Sequence, residues 1–185
     1  MPDSKQHLSR LSIALHWLIG LTIITMMSVG IFMESYEVMF LYPLHKSFGV
    51  IIFLFIVIRI VMRLANGWPP PVTEYPAWEQ KLAKLVHWVL LIATLLFPIS
   101  GMMMSGAGGH GIAVFGFELV AKNVDPNDIE KVLPLNGQLA ELGHEVHEWL
   151  GTIMIFVISL HVLAALKHHY LDKDGTLRRM MGKEI

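Results

Sequence analysis

The chain has 185 residues, of which 54% are hydrophobic and 16% are charged, and it contains no cysteine. Soluble domains carry about 25% charged residues, so this composition and a mean hydropathy of +0.55 predict a single integral membrane domain over residues 1–185. The lack of cysteine excludes disulfides, iron–sulfur clusters and covalently attached c-type haem, and a net charge of −1 gives no reason to expect a nucleic-acid partner.

Four apolar stretches are long enough to cross a bilayer, for which a helix needs about 20 residues. They cover approximately residues 11–33, 44–65, 82–104 and 146–167. We therefore predict an all-α integral membrane four-helix bundle. The first stretch follows a short basic N-terminus, but it is too long for a signal peptide and lacks a small-residue cleavage pattern, so we expect it to be retained.

The distribution of basic residues predicts the orientation of this bundle, because cytoplasmic segments of membrane proteins are enriched in lysine and arginine. Eleven of the 14 lysines and arginines fall at the N-terminus, in or beside the second connection, or at the C-terminal end. The other three fall in or beside the remaining connections. Both termini are thus predicted to be cytoplasmic.

The connections between the spans differ in character. Residues 34–43 make a short outer loop, and residues 68–71, Trp-Pro-Pro-Pro, stiffen the inner connection because consecutive prolines favour an extended conformation. The glycine-rich residues 105–116 are expected to end the third helix, and residues 126–128 are predicted to begin a short interfacial helix. Residues 136–149 are predicted to form a helix that continues into the fourth span.

Four histidines lie inside these spans or at their edges, where an ionisable side chain is costly and usually functional. His16 and His161 each lie six residues from a basic residue, which places them about 9 Å inside the cytoplasmic boundary. His45 and His147 each lie near the beginning of a span at the opposite side. The four histidines thus form an inner pair, His16 with His161, and an outer pair, His45 with His147.

The fourth span carries one histidine of each pair, since His147 and His161 are fourteen residues apart. At about 100° and 1.5 Å per residue, they lie within about 40° of one helix face and about 21 Å apart along the axis. One helix therefore offers one ligand to each of two stacked sites. Haem iron takes axial ligands from opposite sides of its ring, so the partner ligands come from two other helices.

The histidines also allow two alternative roles. Each histidine could form a hydrogen bond to a neighbouring helix instead of ligating iron. A zinc ion could bind His45 together with His144 and His147, although levels about 21 Å apart exclude a single zinc site for the two pairs. The corresponding alternative function is a non-redox transporter of metal ions or protons.

Short motifs occur in order along most of the chain, apart from residues 105–143. They are Leu15-His16-Trp17, Leu44-His45-Lys46-Ser47-Phe48-Gly49, Arg59 with Arg63, Pro98-x-x-Gly101, His147-Glu148-Trp149-Leu150-Gly151, Leu160-His161, His168-His169-Tyr170, Asp172-x-Asp174-Gly175 and Leu177-x-Arg179-Met180. No single motif is specific, but the ordered set resembles the bacterial cytochrome b561 family, a relative of the cytochrome b subunits of hydrogenases and formate dehydrogenases.

This resemblance implies a four-helix protein of the bacterial inner membrane that holds two non-covalent haem b groups among the lipids. It implies iron ligation by His16 with His161 and by His45 with His147, in agreement with the depths of these residues. It also implies electron transfer between a redox partner at the outer face and a membrane quinone, either ubiquinone or menaquinone. The protein would then be an electron carrier, an oxidoreductase such as a superoxide:quinone oxidoreductase, or the membrane subunit of one.

Further polar residues lie near the predicted haem sites. Arg59 and Arg63 are predicted to bind haem propionates, since arginine forms bidentate bonds with carboxylates, and positive-inside anchoring is the alternative. His87 follows Lys84 by three residues, which predicts an interfacial position shallower than the inner pair, or a hydrogen bond to a propionate or quinone. His168 lies about 10 Å nearer the cytoplasm than the inner pair. The resemblance favours it as the proton donor to quinone, and snorkelling toward lipid headgroups is the alternative.

Small and flexible residues accompany the predicted ligands. Gly20, Gly49 and Gly151 each lie four residues after one of the histidines. A glycine one turn from a ligand leaves room for the edge of a haem, although ordinary helix packing has the same requirement. The 12 methionines could also ligate iron, but adaptable packing accounts for them better.

The charge of the outer segments helps to indicate the electron donor, because some members of the resembled family oxidise superoxide at the outer face. A positive surface would favour that anion, since charge focusing raises association rates. The outer segments instead carry a net negative charge, which suits a basic periplasmic redox protein better than superoxide. Their charged residues are Lys46, Lys122 and Lys131 against Glu34, Glu37, Glu118, Asp125, Asp128, Glu130, Glu141, Glu145 and Glu148.

Overall fold

The computed structural model describes residues 7–183 and 185; Lys5, which was counted for the predicted orientation, lies outside them. The helices are α1 (Arg10–Ser35), α2 (Leu41–Asn66), α3 (Ala77–Ala107), α4 (Gly137–Tyr170) and α5 (Thr176–Met180), and the strands are β1 (Ile112–Val114), β2 (Phe117–Val120), β3 (Val124–Asp125) and β4 (Asp128–Val132). By length and hydropathy, α1 to α4 can each cross a membrane. Each contains one predicted span, which confirms the four-helix membrane fold.

The four long helices pack around a continuous apolar core. On α1 the core residues follow one another at intervals of four, which places them on one helix face. Large apolar side chains such as Leu54, Phe156 and Leu163 point away from the core and are exposed, as expected where lipid surrounds the bundle. The buried core residues are Leu15, Ile19, Ile23, Met27, Ile52, Ile56, Ala93, Phe97 and Met154.

Both termini lie at one end of the bundle, which we call the terminal end. There the indole N–H of Trp17 donates to the carbonyl of Met180 at 2.8 Å. The guanidinium of the buried Arg179 donates to the carbonyl of Pro70 at 2.9 Å. These contacts hold α5 against the start of α1 and the connection between α2 and α3. The strands lie at the opposite end, the hairpin end.

The ends of α3 and α4 agree with the sequence analysis. The third helix ends at Ala107, within the glycine-rich residues 105–116 that were predicted to end it. The fourth helix begins at Gly137, and the side-chain oxygen of Asn136 accepts a hydrogen bond from the N–H of Leu139 at 3.1 Å. This N-cap confirms the helix predicted over residues 136–149 and its continuation into the fourth span.

The prediction of a short helix from residues 126–128 is wrong, because the chain turns there between β3 and β4. The two strands pair antiparallel. A carboxylate oxygen of Asp125 accepts a hydrogen bond from the N–H of Asn127 at 2.9 Å, which forms an Asx turn. The turn preference of Asp, Pro and Asn thus outweighs a weak helical periodicity.

The other hairpin covers the start of α2. It turns at Phe115 and Gly116, whose φ angles are 48° and 89°. The hydroxyl of Ser47 accepts from the N–H of Phe115 at 2.9 Å, and the rings of Phe48 and Phe115 are 5.4 Å apart. The sequence analysis missed this hairpin, although a Phe-Gly step between two strand-forming runs is the signal that indicates it.

Candidate functional site

The predicted ligand histidines meet as two pairs inside the bundle. The ring centroids of His16 and His161 are 6.1 Å apart, with ring planes at 66°. Those of His45 and His147 are 6.4 Å apart, with ring planes at 78°. The inner pair joins α1 to α4 near the terminal end, and the outer pair joins α2 to α4 near the hairpin end.

This spacing leaves room for one metal ion between the two rings of each pair. An imidazole nitrogen lies about 2 Å from a metal that it ligates and about 1 Å from its own ring centre, so opposed ligands have centroids about 6 Å apart. Edge-to-face aromatic contacts without a metal also fall within about 4.5–7 Å. Ring spacing alone therefore does not distinguish a metal site from an aromatic contact, whereas the hydrogen-bond partners of the rings can.

His147 is held in the tautomer that a metal ligand needs. Its Nδ1 lies 3.0 Å from the carbonyl oxygen of Phe97 and 3.1 Å from the hydroxyl of Ser100. The Nδ1–H can donate to that carbonyl, which leaves Nε2 unprotonated and available to iron. The Phe97 ring stacks on the imidazole at 4.3 Å, and a Cβ at Gly101 would lie 3.2 Å from it. The end of α3 thus fixes this ring.

His45 has an unsatisfied nitrogen. Its Nδ1 is buried and has no hydrogen-bond partner among the residues that the structure describes. A buried polar atom without a partner costs free energy, so it marks a place where a bound group is expected. A Cβ at Gly30 of α1 would lie 3.4 Å from the ring, so a larger residue would crowd it. The donor set of the outer pair therefore fits a metal centre.

Arg59 lies against the inner pair. One guanidinium nitrogen is 3.1 Å from Nδ1 of His16, and another is 3.4 Å from the carbonyl oxygen of Ser12. Because a guanidinium only donates, Nδ1 of His16 accepts here and the neutral ring carries its hydrogen on Nε2. Ligation through Nε2 therefore requires that Nδ1 take the hydrogen and that Arg59 turn to another acceptor. A propionate would be such an acceptor.

Arg63 lies one turn further toward the terminal end of α2. Its guanidinium donates to the carbonyl of Gly67 at 2.9 Å and lies 5.1 Å from the ring centre of Trp68. Its charge also acts on His16. Arg63 is thus close to the inner pair, and its role toward a propionate stays a prediction.

His87 lies beside the inner pair, contrary to the shallower position that the sequence predicted. Its ring centroid is 5.4 Å from that of His161 and 5.4 Å from that of Trp68. The depth was counted from Lys84, but α3 begins at Ala77, so this lysine lies within the helix. Long lysine side chains reach the boundary from a deeper backbone position, which makes the nearest lysine a poor marker of depth.

His168 belongs to a polar cluster at the terminal end. Its Nδ1 lies 2.9 Å from a carboxylate oxygen of Asp172 and 3.1 Å from one of Asp174. The hydroxyl of Tyr75 donates to Asp174, and the Tyr75 and His168 rings are 4.9 Å apart. Burial raises the pKa of Tyr75, and its hydrogen bond to Asp174 reinforces this. Burial alone would raise the pKa of Asp174, but hydrogen bonds from Tyr75 and Thr176 outweigh it and lower this pKa.

Only His168 of this cluster was predicted from the sequence. The carboxylates follow it by four and six residues, a spacing that could have indicated the contact. Tyr75 gave no signal, because it meets Asp174 across 99 residues of chain.

Three basic residues gather at the hairpin end. The charges of Lys46 and Lys122 both act on His110, and the charge of Lys122 acts on Lys46. Burial, and then these two charges, lower the pKa of His110. Lys46 and Lys122, without His110, therefore form a local positive cluster on a surface that is negative overall by sequence, and Lys46 is the chain neighbour of His45.

Known proteins are similar to this chain over most of its length. The family described as prokaryotic cytochrome b561 matches residues 7–183. Cytochrome b561 homolog 2 of Escherichia coli K12 is 32% identical over 178 residues, which cover 94% of this chain and 90% of the relative. Cytochrome b561 homolog 1 of the same strain is 32% identical over 178 residues, which cover 94% and 96%.

A third relative carries a more specific name. The protein named probable superoxide oxidase CybB of Yersinia pestis is 33% identical over 180 residues, which cover 95% of this chain and 96% of the relative. The family match and these identities agree with the motifs and with the four membrane helices. The chain therefore belongs to the prokaryotic cytochrome b561 family, as a multi-pass protein of the bacterial inner membrane that binds haem b and transfers electrons.

Proposed function

We propose that this protein carries electrons across the inner membrane through two b-type haems, between a donor at the hairpin end and a quinone at the terminal end. The observation that carries this proposal is that the four histidines meet as two pairs near opposite ends of the bundle, 6.1 Å and 6.4 Å between ring centroids, with Nε2 of His147 left free by the hydrogen bond at its Nδ1. The inner pair would ligate one iron and the outer pair the other. Haem b, when bound, supplies one-electron redox chemistry.

The residues around the outer pair, and the space one turn from His16 and His45, support this assignment. Phe97 accepts the Nδ1 hydrogen of His147 and so keeps Nε2 free for iron. A Cβ at Gly20 or Gly49 would meet nothing within 4 Å, which leaves space one turn from His16 and His45. This space suits the edge of a porphyrin. Haem ligation, which the family implies, also accounts for the four histidines. A transporter of metal ions or protons is therefore not needed to explain them.

The position of the pairs on α4 supports transfer across the membrane. Fourteen residues of helix separate them by about 21 Å, which spans most of a hydrocarbon core about 30 Å thick. The excess of basic residues at the terminal end supports a cytoplasmic location for both termini. Electrons from the periplasmic side would thus pass from the outer haem to the inner haem.

The location of His168 supports quinone chemistry at the terminal end. Quinone reduction consumes protons, and a histidine at the aqueous boundary is suited to donate them. His168 lies seven residues beyond His161 on nearly the same helix face, about 10 Å along the axis. A quinone between the inner haem and this side chain would receive electrons from one side and protons from the other.

The detergent-purified protein tests the proposal directly. We expect a reduced-minus-oxidised spectrum of haem b, about two haems per chain by pyridine haemochrome assay, and rapid reoxidation of the reduced protein by a short-chain ubiquinone or menaquinone. One haem per chain would contradict the two-site assignment. Two haems that quinone fails to reoxidise would contradict the quinone part alone.

The positive cluster at the hairpin end favours superoxide as a donor. Lys46 and Lys122 would attract a small anion toward the outer haem, even though the wider surface is acidic. The relative in Yersinia pestis is named a probable superoxide oxidase. A basic redox protein would instead be repelled locally by this cluster, so the two donors respond oppositely to its charge.

Charge reversal of the cluster separates these two donors. In a Lys46→Glu, Lys122→Glu double variant, we expect reduction of haem by superoxide to slow about 10-fold at low ionic strength. The measurement is stopped-flow haem reduction with pulse-generated superoxide over a range of salt. Lys131→Glu is the matched control, since this lysine lies on β4, is largely exposed and pairs with Asp125 at 3.8 Å. An unchanged or faster rate in the double variant would exclude superoxide steering by the cluster.

A further inference from the structure

The carboxylate of Asp174 is buried at the terminal end and is held on both of its oxygens. Its side chain is 3% exposed. One oxygen accepts the N–H of Thr176 at 2.8 Å, at the start of α5, and the other accepts the hydroxyl of Tyr75. This second oxygen also lies 3.1 Å from Nδ1 of His168. Asp174 is therefore fixed by its partners before any substrate binds.

The second carboxylate beside His168, that of Asp172, is less able to act on the histidine. Asp172 is 29% exposed and pairs with the ammonium of Lys167 at 2.9 Å, and Lys167 also pairs with Glu79 at 3.4 Å. Solvent and Lys167 thus screen Asp172, whereas the field of the buried Asp174 is screened less. Together with His168, the two carboxylates could hold a metal ion. The ammonium of Lys167 already compensates Asp172, which disfavours that use.

The carboxylates determine which nitrogen of His168 faces the substrate. Both approach Nδ1 closely, although neither is aligned with it as a hydrogen bond. Such contacts often tighten when a substrate binds. A carboxylate accepts but does not donate, so Nδ1 carries hydrogen and Nε2 is the nitrogen left for the substrate.

We propose that Asp174 is a positioning residue which, with Tyr75, holds His168 for proton transfer to quinone. This inference rests on the proposed reduction of quinone at the terminal end. Reduction of one quinone to quinol takes two electrons, delivered one at a time through the haems, and two protons. His168 delivers each proton from its doubly protonated form: the N–H bond at Nε2 breaks, an O–H bond forms at a quinone oxygen, and the neutral ring remains. Nδ1 keeps its hydrogen toward Asp174.

Water can restore the proton to His168. An open pocket of about 530 Å³, lined in part by His169, Lys173, Asp174 and Arg178, borders the cluster at the terminal end. The side chain of His168 is itself 21% exposed, so water on this side can return each delivered proton to the ring. Tyr75 does not transfer a proton in this scheme. It packs against the His168 ring and orients the oxygen of Asp174 that faces Nδ1.

An Asp174→Asn variant tests the positioning role. Asparagine keeps an oxygen for the N–H of Thr176, but its amide group then presents hydrogens to His168. We expect reoxidation of the reduced haem by a short-chain ubiquinone to slow about 10- to 100-fold in kcat, with KM for quinone within about twofold of wild type. Haem content, the visible spectrum and haem reduction by the outer donor should stay unchanged. Nitrogen NMR of His168 should show its hydrogen moving from Nδ1 to Nε2.

Asp172→Asn is the matched control, because it makes the same change at the other carboxylate beside the same Nδ1. We expect it to slow reoxidation less than about threefold, since Asp172 is more exposed and screened. Tyr75→Phe keeps the ring and removes only the hydroxyl, so an intermediate, several-fold loss is expected even if Asp174→Asn folds poorly.

Four results would overturn the inference. A wild-type rate in Asp174→Asn, or an equal loss in Asp172→Asn, would remove the special role of Asp174. Loss of the wild-type rate on treatment with EDTA would identify the cluster as a metal site instead. If quinone does not oxidise the reduced wild-type protein at all, the quinone part of the proposed function fails, and the positioning role fails with it.

Discussion

Replacing His161 by alanine is expected to remove the inner haem and leave the outer haem in place. The iron between His16 and His161 would lose one of its two axial ligands, whereas the outer pair lies about 21 Å away along α4. His147→Ala should give the reciprocal result. In each variant we expect about half of the wild-type haem per chain by pyridine haemochrome assay, and loss of transmembrane electron transfer.

His161 is the informative residue of the inner pair because two other histidines touch it. Its ring centroid is 6.1 Å from that of His16 and 5.4 Å from that of His87. In a His16→Ala variant, His87 is positioned to contribute a substitute ligand, so retention of some inner haem there would not contradict the assignment. A His161→Ala variant instead removes the residue that both His16 and His87 contact.

A control histidine separates loss of a ligand from general damage to the helix. His169→Ala changes a histidine near the end of the same helix that belongs to neither pair, and it should retain both haems. Electron paramagnetic resonance should show the low-spin signal of one site lost in His161→Ala and that of the other site lost in His147→Ala. Two intact low-spin signals in His161→Ala would refute the inner assignment.

The four spans and the two histidine pairs could be predicted because they depend on local properties of the chain. Hydropathy over about 20 residues locates a membrane helix, and the helical period converts sequence separation into depth and direction. His147 and His161 share a face of one rigid helix, so their separation of fourteen residues sets the distance between the sites. Their partners on α1 and α2 followed from depth alone.

The parts that the sequence analysis missed depend on where segments dock. Tyr75 meets Asp174 only because α5 folds back onto the connection between α2 and α3. His87 lies beside the inner pair although counting from Lys84 indicated a shallower position, because Lys84 lies within α3 and is a poor marker of the membrane boundary. The Phe-Gly turn of the hairpin at Phe115 can be recognised in the sequence. The position of the hairpin against α2 cannot, because it depends on a hydrogen bond to Ser47.

Replacing Gly143 by alanine is expected to separate α3 from α4 and to weaken the outer haem site. These two helices form the most extensive helix pair in the bundle. A Cβ at Gly143 would lie 2.7 Å from the backbone nitrogen of Met104 and 3.0 Å from the carbonyl oxygen of Ser100. Backbone atoms cannot swing aside as a flexible side chain can, so the helices must move apart. His147 follows one turn later and is held by Ser100 and Phe97 of the same α3 segment.

The expected loss for Gly143→Ala is about 1–3 kcal/mol in the free energy of unfolding, which is typical of overpacking in a close-packed core. Intrinsic helix propensity acts in the opposite direction, since alanine is favoured over glycine by about 0.5–1 kcal/mol within a helix. A net destabilisation would therefore have to come from the close approach of the α3 and α4 backbones. Thermal unfolding followed at the Soret band, with haem counting before heating, measures stability and outer haem retention together.

Gly151→Ala makes the same substitution two turns further along α4 and provides the matched control. A Cβ there would lie 3.9 Å from the ring of Phe97, an ordinary van der Waals distance, so Gly151 faces a packed side chain and fits the alternative of ordinary helix packing better than space for a haem edge. With no clash to offset helix propensity, this variant should be neutral or stabilised by up to about 1 kcal/mol. Because His161 lies eighteen residues beyond Gly143, the inner haem should persist in Gly143→Ala while the outer haem is depleted. Equal stability of the two glycine variants, or equal loss of both haems, would mean that the Gly143 contact does not hold the outer site together.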